Sequence, residues 1–104
     1  MSEDILQTMV QRIVERFRPV RIILFGSRAR GEASQWSDVD LLVVLPEVVH
    51  KRKAMVEILR ALNDLPVAKD VIVTTPEEIV QRGNLVGSVL RSALREGRVL
   101  YERS

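Results

Sequence analysis

Three short, strongly apolar runs at residues 20–25, 39–45 and 67–74, separated by stretches whose apolar residues recur at helical spacing, leave few folds open to this chain. The first two are rich in branched residues and nearly free of polar interruption, the pattern of strands covered on both faces. Between them the period changes. Ile5, Leu6, Met9, Val10, Ile13, Val14 and Phe17 predict a helix over 3–17, with Ser2 as its cap and Glu3 and Asp4 at the positive end of its dipole. Arg18-Pro19 ends it, because the residue before proline is pushed out of helical geometry. Met55, Ile58, Leu59 and Leu62 predict a second helix over 48–63, with Lys51, Arg52, Lys53 and Arg60 mostly off its apolar face, and Leu65-Pro66 breaks it. Thr75-Pro76-Glu77-Glu78 is a helix start, with a capping threonine, proline in the first turn and a glutamate at the capping-box position. Leu85, Val86, Val89, Leu90, Ala93 and Leu94 predict a last amphipathic helix closed by Gly97, and 98–101 a short edge strand. The expected class is α/β in the broad sense (α+β), a small mixed sheet with flanking helices.

At 104 residues the chain has room for one core, so residues 1–104 are expected to form a single domain. Hydrophobic residues at 46% and charged residues at 29% argue against both a disordered polar chain and a membrane protein. No apolar run approaches a membrane span, and the start, MSEDILQTMV, is acidic where a signal peptide is basic. A cytoplasmic protein with no membrane association is expected. The chain contains no cysteine and one histidine, His50, which removes thiolate and histidine-cluster metal sites. Any metal must sit on carboxylates and should be a hard cation, Mg2+ or Mn2+. Thirteen of the sixteen basic residues are arginine, suited to planar contact with phosphate or carboxylate. Aromatic residues are only 4% of the chain, so direct nucleic-acid binding by a basic stripe interleaved with aromatics is not expected.

The chemistry concentrates where the second strand begins. Asp38 and Asp40 stand two apart, so on a strand both carboxylates face one side while Val39 enters the core. Two carboxylates that close repel unless a cation neutralises them. A third acid, Asp70, opens the run Lys69-Asp70-Val71-Ile72-Val73 on the third strand, and the three converge if the two strands are neighbours. Gly26-Ser27 follows the first strand, where glycine permits a tight turn and leaves backbone amides open to a phosphate. If 28–33 forms a short helix, its N-terminus adds to that anion site. In isolation a DxD pair also fits a capped turn, and Gly-Ser an ordinary loop; the combination and its order set them apart.

Residues 26–44 read GSRARGEASQWSDVDLLVV. This resembles the signature of the DNA polymerase beta-type nucleotidyltransferase superfamily: Gly-Ser, ten intervening residues, then Asp-x-Asp, with a third acid on a following strand matched by Asp70. The ARGEA segment and the short chain are most similar to the minimal nucleotidyltransferases, the MntA-like proteins encoded beside a HEPN-domain partner. The resemblance implies the nucleotidyltransferase fold and a site residue by residue. Gly26, Ser27 and Arg28 would hold the phosphates of a nucleoside triphosphate. Asp38, Asp40 and Asp70 would hold two Mg2+ ions, or Mn2+, with Asp70 also activating an acceptor hydroxyl. The physical logic agrees, since two metals clamp the attacking and leaving oxygens of an in-line displacement.

The resemblance further implies an antitoxin that transfers AMP from ATP to a tyrosine hydroxyl of a HEPN-type toxin ribonuclease in a hetero-oligomer. The chain has no obvious room for an acceptor-binding domain, so a partner is expected to supply the acceptor. Two readings stand beside it: an antitoxin that neutralises its partner by contact alone, and a nucleotidyltransferase acting on a small molecule or nucleic acid. Arg30 fits either a phosphate contact or a solvated loop, Trp36 either a site cover or the rim of the core, and Tyr101 either an edge strand or an interface.

Overall fold

The computed structural model describes residues 3–26, 39–82 and 94–103. Helix α1 (Glu3–Phe17) buries Leu6, Met9 and Ile13, positions on one stripe of a 3.6-residue helix. It ends where expected. Arg18 turns left-handed (φ 50°) while its N–H still donates to the Val14 carbonyl at 3.1 Å, and Pro19 stops the helix from continuing. The guanidinium of Arg103, at the far end of the chain, donates to the Arg18 carbonyl and fastens this corner.

Strand β1 (Arg21–Phe25) lies between β2 (Val39–Val44) and β4 (Arg98–Glu102), antiparallel to both, and β3 (Lys69–Thr74) runs parallel to β2. The order is β3-β2-β1-β4, a mixed sheet. Helix α2 (Lys51–Ala61) makes the crossover that parallel neighbours require. On one face α1 and α2 pack Met9, Ile13, Ile58 and Leu62 against Ile22, Leu24, Val39, Leu41, Val43, Val71 and Val73. On the other, Ile23, Leu42 and Val44 are buried with Phe25, Ile72, Ile79 and Leu94 against them. Cover on both faces is why β1 and β2 are apolar almost throughout rather than alternating.

The elements differ from the sequence expectation at their ends. Helix α2 starts at Lys51 rather than near 48, because His50 is extended (φ −129°, ψ 101°) and makes no side-chain cap, and Val49 before it stands exposed. It closes early through the Leu62 N–H donating to the Leu59 carbonyl at 3.1 Å, a tightened last turn. Strand β3 begins at Lys69 rather than 67. Val67 donates its N–H back to Leu65 (2.8 Å), and the Lys69 ammonium bonds the carbonyls of Leu65 (3.1 Å) and Val67 (3.0 Å), so these residues are spent on a turn.

Helix α3 (Pro76–Arg82) begins as the sequence predicts. The Thr75 hydroxyl accepts from the Glu78 N–H at 3.2 Å. The Glu78 carboxylate accepts from the buried Thr74 hydroxyl at 2.9 Å and pairs with Lys51 at 2.5 Å, tying α3 to α2. Most of the helix expected from Leu85 to Leu94 lies outside the described residues, which resume in a helical turn at 94–96. Strand β4 is present as expected. Tyr101 pairs with Ile22 and Val99 with Ile23, leaving Leu100 as a bulge, so Tyr101 is an edge-strand residue packed against the α1 side of the core.

Candidate active site

The C-terminal end of β1 meets the N-terminal ends of β2 and β3. Phe25 pairs with Asp40 across the antiparallel ladder, and Asp40 pairs with Asp70 across the parallel one. Residues directly opposite in a ladder share a face, so Phe25, Asp40 and Asp70 form one row across three strands about 4.8 Å apart. Val39 sits in the α1–α2 core with no exposure, which directs Asp40 to the opposite face, as the alternation predicts. Asp40 is half-buried; Asp70 is exposed and accepts a hydrogen bond from the Val71 N–H at 3.0 Å.

Gly26 completes the corner. Its φ of +78° lies in the left-handed region, and a Cβ added there would fall 2.5 Å from Asp40 Oδ2 and 3.4 Å from its Cγ. The backbone turn and the carboxylate are thus closely packed, and any side chain at position 26 would force the carboxylate or the turn to shift. The structure therefore brings together Gly26, Asp40 and Asp70. Ser27, Arg28 and Asp38 lie outside the described residues, as do Arg30 and Trp36. Phe25 was not singled out from the sequence; its position directly before Gly26 at a strand end was the available signal, and only the register places it beside Asp40.

Among the described residues no cluster of three or more acidic or histidine side chains has metal-holding geometry. The described donors are Asp40 and Asp70, with Asp38 two residues before Asp40 in sequence. A set of carboxylate oxygens beside a glycine cradle fits a hard divalent cation and excludes a soft one. A groove of about 470 Å³ between α1 and β4, lined by Leu6, Val10, Val14, Leu100 and Tyr101, lies on the other face of the sheet and is not part of this corner.

The nucleotidyltransferase domain model matches residues 6–100. A Methanocaldococcus jannaschii protein, whose name proposes a protein adenylyltransferase, is 40% identical over 62 residues, which span 58% of this chain and 42% of that protein. The protein adenylyltransferase MntA of Thermococcus cleftensis is 34% identical over 96 residues, 90% of this chain and 87% of that one. Two solved structures share the fold. A protein from Sulfolobus solfataricus, proposed in its name to be a nucleotidyltransferase, superposes with a TM-score of 0.68 at 21% identity over 96% of this chain and 79% of its own. A chain from a toxin–antitoxin crystal structure with AMP-PNP gives 0.55 at 17% identity over 93% and 73%. With a family match across nearly its whole length and an MntA relative matched over most of both chains, the chain belongs to the nucleotidyltransferase domain family and is a minimal nucleotidyltransferase.

Proposed function

We propose that this nucleotidyltransferase transfers AMP from ATP to a tyrosine hydroxyl of a HEPN-type toxin and acts as that toxin's antitoxin. The observation that carries the reading is the register placing Asp40 opposite Asp70 with Gly26 closed against Asp40. The family membership, the adenylyltransferase name of the Thermococcus cleftensis relative and the fold shared with a toxin–antitoxin chain support it.

In this reading Asp38, Asp40 and Asp70 hold two divalent cations, Mg2+ or Mn2+, and Gly26, Ser27 and Arg28 hold the triphosphate. The cations, when bound, neutralise charge on the attacking and leaving oxygens. Asp70, exposed at the open side of the row, takes the proton of the incoming hydroxyl. The hydroxyl oxygen bonds to the α-phosphorus, the bond to the β-phosphate oxygen breaks, and pyrophosphate leaves. The Gly26 turn keeps the floor of the site free of side-chain bulk, so phosphate oxygens can approach the backbone N–H groups. We assign the protein to the cytoplasm; among the described residues no helix is long and apolar enough to cross a membrane.

Incubating the purified chain with a candidate HEPN-domain partner, MgCl2 and α-labelled ATP tests this. Label on a partner tyrosine, abolished by Asp40→Asn, is the expected result. Full neutralisation of the partner by the Asp40→Asn variant would establish neutralisation by contact, and label on an RNA or small molecule instead would reassign the acceptor.

A further inference from the structure

We infer that Gly26 is a positioning residue for Asp40, fixing the metal-binding carboxylate, beyond leaving backbone amides open to phosphate. The inference rests on the reading of Asp40 as a metal ligand. Three observations combine.

The Asp40 backbone is held on both sides, by antiparallel pairing of its strand to Phe25 and parallel pairing to Asp70, so it cannot slide away from a neighbour without breaking ladder contacts. Gly26 stands with φ +78°, a conformation that costs an L-residue free energy even where space is open. The atom nearest its missing Cβ is the carboxylate oxygen itself, at 2.5 Å, and the next two, Cγ at 3.4 Å and Cβ at 3.6 Å, belong to the same side chain. A methyl group at position 26 therefore meets Asp40 first. With the backbone fixed, the relief available is rotation of the carboxylate out of its place in the row with Asp70.

A glycine needed only for phosphate approach would behave differently. Its replacement by alanine would weaken nucleotide binding and leave a cation on Asp40 undisturbed. A positioning glycine loses the cation first, and loses it only while Asp40 is present to be displaced.

The test is a double-mutant cycle on the full chain, read by electron paramagnetic resonance of Mn2+ without nucleotide, for the wild type, Gly26→Ala, Asp40→Ala and the double variant. Gly26→Ala is expected to weaken Mn2+ binding by about tenfold or more in the Asp40 background, the range for residues that orient ligands, and to have no effect in the Asp40→Ala background. Unchanged Mn2+ affinity in Gly26→Ala, or an equal loss in both backgrounds, would overturn the inference while leaving Asp40 as a ligand. Mn2+ affinity that Asp40→Ala does not lower would overturn both this inference and the proposed site. If Gly26→Ala fails to fold, circular dichroism of the double variant decides: recovery of the fold on removing the Asp40 carboxylate supports the contact, and no recovery refutes it.

Discussion

At the scale of residues, the proposed site is an arrangement of groups that are individually ordinary. Asp70 is exposed and Asp40 half-buried, so removing either charge should spare the fold while removing a proposed metal ligand. Asp40→Asn and Asp70→Asn are expected to lower AMP transfer by at least about a hundredfold with little change in melting temperature. Steady-state rates beside thermal melts check this, and an Asp70→Asn variant with full activity would remove that residue from the mechanism. The sequence made this corner legible in part. The spacing of Asp38 and Asp40 with Val39 between them announced which side of the strand the carboxylates take, and the buried Val39 bears this out for Asp40, while Asp38 lies outside the described residues. That Asp70 stands opposite Asp40 was legible only as a condition, because strand adjacency is decided by tertiary packing and not by any local pattern. The contact between Gly26 and Asp40 spans a turn of the chain, and no spacing rule reveals it.

At the scale of elements, the periodicities located α1 and the strands, while element ends were set by local hydrogen bonds the pattern does not show. The 65–67 turn shortens β3 because Lys69 bonds its carbonyls. The capping threonine was readable, since Thr75 precedes Pro76 and stands three residues before Glu78. Thr75→Ala is expected to cost about 1 kcal/mol, measured by chemical denaturation. The link between α1 and the turn after α2 was not readable, being 52 residues apart in the chain: Arg12 grips the Asp64 carboxylate with its two terminal guanidinium nitrogens and donates to the Ala61 carbonyl at 3.0 Å.

That hydrogen bonding from Arg12 holds the Asp64 carboxyl below its ordinary value of 3.8. A carboxylate whose folded pKa is depressed stabilises the fold fully above its unfolded pKa, and the contribution is lost as pH falls through the lower folded value. Asp64→Asn should therefore be less stable than the wild type near neutrality, with the gap closing in strong acid. Both residues are solvent-accessible, so the effect is small and shrinks in high salt. Denaturation midpoints across pH check it, and a gap that widened in acid would contradict the assignment.

At the scale of the whole molecule, a four-stranded mixed sheet packs one face against α1 and α2 and covers most of the other with a smaller apolar cluster, leaving the Asp40–Asp70 row at one end of that second face. Met9 has no exposure and joins α1 to the sheet, so Met9→Ala is expected to destabilise the fold by about 2–5 kcal/mol, read by chemical denaturation, without altering the site's chemistry. The groove between α1 and β4 is lined largely by apolar side chains and offers no paired acids for a cation–phosphate complex. The nucleotide is therefore expected at the strand ends and not in that groove. Crystals grown with Mn2+ and a non-hydrolysable ATP analogue, measured at the manganese absorption edge, test this most directly. Anomalous density is expected within coordination reach of the Asp40 and Asp70 carboxylates, with the triphosphate beside Gly26. Density for the nucleotide in the α1–β4 groove, or no anomalous signal at the Asp40–Asp70 row, would contradict it.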